Sequence, residues 1–161
     1  MRHPLALSLT LAALLGSCSS DASGPLIQTS SSLTITIEKA SYTWDEVHVG
    51  SGPGVRGTIT NVSDRTFTAR LGDGFAGEEQ DLLYVANGSD GALERAEGSA
   101  WIAVSGAQLI EGVRQVTLRP GRTYGFIAQP SGEKRTGTYR IVVTFRDGEE
   151  HRVISQTFEV R

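Results

Sequence analysis

Tyr139-Arg140-Ile141-Val142-Val143-Thr144-Phe145 runs into Arg146-Asp147-Gly148-Glu149-Glu150 and is followed by a second β-branched run from Val153 to Val160. This stretch decides the fold. Val, Ile and Thr are stiff at χ1 and pack well on a pleated surface, and an Asp-Gly pair between two such runs favours a tight reversal. A β-hairpin is expected here. Working back along the chain, the same period of two recurs. Leu33, Ile35 and Ile37 alternate with Thr34, Thr36 and Glu38, which puts three aliphatic side chains on one face of a strand. Val55, Gly57 and Ile59 do the same, as do Phe67, Ala69 and Leu71. The polar run Asn61-Val62-Ser63-Asp64-Arg65 between them predicts a hairpin or a strand-to-strand corner.

Val113, Val116 and Leu118 lead into Arg119-Pro120-Gly121, a pair suited to a type II turn, after which Tyr124 and Phe126 mark a return strand. Only Glu78–Ala86 and Gly91–Glu97 could be helical, and both windows are short. Eight to ten short strands with turn signals about every ten residues predict an all-β fold, an antiparallel β-sandwich ahead of a β-barrel. The 161-residue length allows one domain, placed at residues 33–161.

Composition narrows the function classes. With 39% hydrophobic and 20% charged residues the chain is globular rather than a disordered polyelectrolyte. The net charge is −3 and no Lys/Arg run occurs, so the basic footprint of a nucleic-acid binder is missing. The single cysteine, Cys18, excludes an intramolecular disulfide.

That cysteine follows an informative leader. Met1-Arg2-His3-Pro4 precedes Leu5–Leu15, in which only Ser8 and Thr10 are not apolar. A membrane-spanning helix needs about 20 apolar residues, so this run reads as the hydrophobic region of a cleaved signal peptide. Leu15-Gly16-Ser17-Cys18 resembles the lipobox of bacterial lipoproteins. The resemblance implies that residues 1–17 are removed, and that Cys18 becomes an acylated N-terminus anchored to the membrane by two or three chains. Loss of Arg2 with the leader takes the net charge to −4. Residues 18–32 then hold the lipidated cysteine and a tether with six serines, a Gly and a Pro. Ser19 stands where such lipoproteins commonly carry Asp for inner-membrane retention, so the resemblance implies a cell-envelope location, with the outer membrane favoured over the inner.

Further motifs bear on the domain itself. Gly57-Thr58-Ile59-Thr60-Asn61-Val62-Ser63, Leu93-Glu94-Arg95, Trp101-Ile102-Ala103-Val104, the run Val116–Tyr124 containing Leu118-Arg119-Pro120-Gly121, and Gly137-Thr138-Tyr139-Arg140-Ile141-Val142 resemble bacterial immunoglobulin-like domains of lipoproteins and surface proteins. The resemblance implies an immunoglobulin-like β-sandwich, with Tyr139 as a tyrosine-corner residue whose hydroxyl is tied to nearby backbone. It carries no catalytic residues.

Candidate chemistry is sparse. Gly52-Pro53-Gly54-Val55-Arg56-Gly57 and Gly72-Asp73-Gly74-Phe75-Ala76-Gly77 match G-x-G-x-x-G. The first runs into a strand, the second lacks a βαβ continuation, and both read as loop glycines. Asp73, Glu78, Glu79 and Asp81 offer carboxylates to calcium, but their spacing fits no known loop and reads as a solvated acidic segment, as do Asp147, Glu149 and Glu150. His48 and His151 lie 103 residues apart, with no cysteine after Cys18 to join them on zinc. Ser89 sits in the turn Asn87-Gly88-Ser89-Asp90-Gly91 rather than in a nucleophile elbow. Trp44 and Trp101 read as core or sheet-face aromatics. Asn61-Val62-Ser63 and Asn87-Gly88-Ser89 are formal glycosylation sequons.

The expectation is a lipid-anchored, non-catalytic protein without cofactor or metal. It meets the membrane through Cys18 and an envelope protein or polymer through loops or an unpaired strand edge. Two alternatives stay open: a periplasmic protease inhibitor or chaperone-like sandwich, and a hydrolase with a dispersed site around His48 or His151.

Overall fold

The computed structural model describes residues 26–29, 32–48, 50–72, 82–85, 88–104 and 112–161. Cys18 and the acidic stretch 73–81 lie outside the described residues. In chain order the elements are β1 (Leu26–Thr29), β2 (Leu33–Ile37), β3 (Ser41–Tyr42), the helical turn α1 (Trp44–Val47), β4 (Val55–Asn61), β5 (Phe67–Gly72), β6 (Leu82–Val85) and β7 (Gly91–Glu97). They continue with β8 (Ala100–Ala103), β9 (Val113–Leu118), β10 (Thr123–Ala128), β11 (Gly137–Arg146), β12 (Glu150–Ile154) and β13 (Phe158–Val160). The fold is all-β.

The thirteen strands of the described residues belong to one sheet, ordered β1-β2-β4-β10-β6-β5-β11-β13-β3, with β12 and β7 also on β11, β8 on β7 and β9 on β5. Among the described residues, β5 meets β6 only through Gly72↔Tyr84, and meets β11 only through Arg146↔Thr68. The sheet curls at these seams because one face is apolar almost throughout and can leave water only by closing on itself. Leu33, Ile35 and Ile37 of β2, Ile59 of β4, Phe67 and Leu71 of β5, Leu93 of β7, Phe126 of β10, and Tyr139, Ile141, Val143 and Phe145 of β11 form a single buried cluster with Phe158 and Val160. Tyr139 stacks on Phe158 at 6.0 Å, and Tyr42 meets the same ring edge-on at 5.6 Å.

The expected hairpin is present: β11 and β12 pair from Val142↔Ile154 to Arg146↔Glu150, and Gly148 turns the chain at φ 109°. The run from Val153 to Val160 is not continuous, however. It breaks at Ser155, whose side-chain oxygen is buried, accepts the Ile141 N–H at 2.8 Å and donates to the Gln156 carbonyl at 2.8 Å. β12 ends there and β13 pairs separately with Gly137–Tyr139.

The polar run after β4 is a corner, since β4 pairs with β2 and β10 while β5 pairs with β9, β6 and β11. Arg119–Arg122 likewise joins strands that do not pair with each other: β9 lies on β5, whereas β10 lies between β4 and β6. Gly91–Glu97, one of the two short windows that could be helical, is strand β7. Seven residues hold a helix weakly in water, and here Tyr139–Val143 pairs antiparallel with Gly91–Arg95. Leu82–Val85 of the other helical window is β6, parallel to β10. Leu26–Thr29 fall inside the segment whose composition reads as a tether, yet they pair with Thr34–Ile37.

Candidate interaction surface

α1 is a single turn held by a capping box: the Glu46 N–H donates to the Thr43 hydroxyl at 3.3 Å, while the Glu46 carboxylate accepts the Thr43 N–H at 2.6 Å. The turn plants Trp44, 7% exposed, at the core margin, and His48 lies against its ring at 5.1 Å. Next to Trp44 runs β8. Among the described residues β8 pairs only with β7, so it forms a sheet edge, and Ile102 is 43% exposed. A groove of about 300 Å³ lies beside it, lined chiefly by Trp44, Ile102, Val104, Pro130, Arg135 and Tyr139. The Tyr139 hydroxyl donates to the Arg135 carbonyl at 2.5 Å, closing the floor of the groove. Burial raises the pKa of this phenol, although Arg95 and Arg135 work against it.

On the opposite face of β8, Trp101 sits under the Arg140 guanidinium, 4.1 Å from the ring centroid. Arg140 pairs with Glu94 at 2.7 Å across β7 and β11, and Glu94 also holds Arg152 at 3.2 Å. These groups bind one another across four strands and brace the edge from outside. Trp44 is therefore a core aromatic and Trp101 a sheet-face aromatic.

His151 lies at the far hairpin. Its Nε2 is 2.7 Å from the Asp147 carboxylate, which also pairs with Arg65, and its ring packs edge-on to Phe67 at 5.3 Å. Burial pushes the Asp147 carboxyl up, but the bonds from His151 and the Glu149 N–H and the charge of Arg65 hold it below the ordinary value. Among the described residues no hydroxyl or thiol hydrogen-bonds to the His151 ring. Nor does any group of three His, Cys, Asp or Glu suited to a metal occur among the described residues. Asp147, Glu149 and Glu150 stay on this hairpin, with Glu150 paired to Arg146.

The structure also disposes of several motif matches. Gly57 lies opposite Ile37 and Phe126, and an added Cβ would meet the Thr36 carbonyl and the Phe126 ring; its role is close packing. Asn61 is fully buried and its amide nitrogen is committed to two carbonyls, so the first sequon has no acceptor to offer. Ser89 bonds to Gly91 within its turn. Asn87 lies outside the described residues. The β8 edge was not singled out by sequence; Ile102, a large apolar residue that stays exposed, identifies it only once the pairing is known. The chain matches no protein-family model and no curated protein sequence.

Proposed function

We propose that this protein is a lipid-anchored, non-catalytic immunoglobulin-like β-sandwich of the bacterial cell envelope that binds an extended segment of another envelope protein along β8. The observation that carries the reading is the sheet edge Ala100–Ala103, with exposed Ile102 beside a groove that mixes apolar and polar side chains. An edge strand presents alternate N–H and C=O groups at a spacing that another extended polypeptide backbone matches along its whole length, which favours a protein over a polysaccharide partner. The groove, lined by Trp44, Ile102 and Pro130 together with Glu133 and Arg135, adds a place for one side chain of the incoming segment. The signal-type leader and Leu15-Gly16-Ser17-Cys18 support the anchor.

Two measurements test the two halves. Radiolabelled palmitate should enter the wild-type chain and not Cys18→Ala; equal labelling overturns the anchor. A photo-crosslinking residue at Ile102 should trap one discrete envelope protein in cells, while the same probe at Thr58, exposed on β4, should not. Equal trapping at both positions, or at neither, overturns the edge reading.

A further inference from the structure

Given the acylated Cys18 and the β8 edge of the proposed function, we infer that the bound segment belongs to a protein held in the same membrane, because β1 turns the groove end of the sheet towards that bilayer. Eight peptide steps separate Cys18 from Leu26, the first residue of β1. A chain advances at most about 3.6 Å per residue, so Leu26 stays within about 29 Å of the anchored cysteine whatever path the steps take. A flexible chain of that length spans only about 16 Å on average. Were β1 unpaired, the tether would run on to Leu33 and its limit would rise to about 54 Å. The four pairs from Leu26↔Ile37 to Thr29↔Thr34 therefore take up nearly half of the reach.

β1 also gives the attachment a direction. Leu26 lies opposite Ile37, Ile37 opposite Gly57 and Gly57 opposite Phe126, so the tether enters at one end of β2, β4 and β10. Thr29, Thr34, Thr60 and Thr123 line up in the same way towards the other end. Beyond the entry end, β10 leads from Ala128 to Pro130 and Ser131, and β2 leads through β3 to Trp44; all three residues line the groove beside β8. Hydrogen bonds fasten α1 to this end: the Glu38 N–H donates to the Arg56 carbonyl at 3.1 Å, the Gly54 N–H to the Glu46 carbonyl at 2.9 Å, and the Gln129 amide to the Gly52 carbonyl at 2.9 Å. The groove thus opens at the end the anchor holds, and Asn61–Arg65 and Arg119–Arg122 stand at the end away from it. Three strand spacings of about 4.8 Å separate β1 from β10, so the groove lies close to the point of attachment. A segment emerging from that bilayer meets the groove end first, whereas one arriving from the aqueous side meets the distal corner.

The test reads orientation and partner separately. Glu38 and Asp64 are both exposed, Glu38 beside the entry end and Asp64 in the corner at the other, at least about 13 Å further along the strands. In the full acylated chain the Cys18 sulfur is taken up by the anchor, so Glu38→Cys or Asp64→Cys accepts a donor dye at one position. The labelled chain is placed in phosphatidylethanolamine–phosphatidylglycerol vesicles that carry a lipid-linked acceptor. Energy transfer should be roughly twofold greater from position 38 than from position 64. Inserting about 30 Gly/Ser residues after Ser23 should lower both and erase the difference. Equal transfer without the insertion, or more from position 64, overturns the orientation. In cells, the protein trapped by a photo-crosslinking residue at Ile102 should, in its uncrosslinked form, resist alkaline carbonate extraction and dissolve in detergent. Its release by carbonate overturns the membrane partner and leaves the β8 edge standing. Absence of palmitate from the chain, or of any trapped protein at Ile102, overturns the proposed function and the membrane partner together.

Discussion

Asn61 uses its whole side-chain amide inside the protein: the nitrogen donates to the Arg65 carbonyl at 2.6 Å and the Leu118 carbonyl at 3.0 Å, and the oxygen accepts from the Ser63 N–H and hydroxyl. One buried residue thus ties the β4–β5 corner to the end of β9. Replacement by Ala leaves two carbonyls without these donors, at a cost of about 1–3 kcal/mol for each buried group left unsatisfied. Asn61→Ala should lose about 2–4 kcal/mol in urea unfolding at unchanged m, and a loss below about 0.5 kcal/mol would show that water replaces these bonds. The sequence displayed Asn61 only as a turn residue and a formal sequon, because its burial depends on Leu118, 57 residues away. Tyr139 was legible more fully: the resemblance implied a hydroxyl tied to nearby backbone, and that bond reaches the Arg135 carbonyl.

At the scale of elements, close strand packing and caps carry the testable consequences. Gly57 sits in β4 between β2 and β10, where a methyl group would press on the Thr36 carbonyl and the Phe126 ring. Gly57→Ala should destabilise by about 2–3 kcal/mol through overpacking, and a neutral result in thermal unfolding would mean that the two strands can part freely. The α1 cap predicts a pH effect. The bond from the Lys39 ammonium first, then the Thr43 N–H, lowers the Glu46 pKa from 4.5 to about 2. A pKa lowered by folding stabilises above the unfolded value, and that stability is lost as pH falls from about 4.5 towards about 2. Both partners are well exposed, so water screens the pair and the effect should stay below about 1 kcal/mol. Wild type should therefore be slightly more stable than Glu46→Gln at pH 7, and the two should converge across that window; a difference constant with pH would contradict the assignment. The capping signature Thr43-Trp44-Asp45-Glu46 was present in the sequence, but a four-residue turn has no apolar period to announce it.

Over the whole molecule, one buried cluster draws residues from both sides of the two single-pair seams, so the curled sheet has one core. Chemical unfolding should accordingly be a single transition, coincident by tryptophan fluorescence, which reports on Trp44 and Trp101, and by far-UV circular dichroism; separated midpoints would show that the parts unfold independently. The sequence by itself determined the strand content and the inward face of most strands, because alternation is local: the same residues that make a pleat also mark its buried side. It likewise exposed the β11–β12 hairpin, whose turn and pairing lie within a few residues of each other. Only the tertiary structure decided that Arg119–Arg122 crosses between unpaired strands, that Gly91–Arg95 pairs along β11, and that β8 is an edge among the described residues. Each depends on which distant strand supplies the hydrogen-bond partners, and such a choice is made by the closing of the core rather than by the residues of the segment itself.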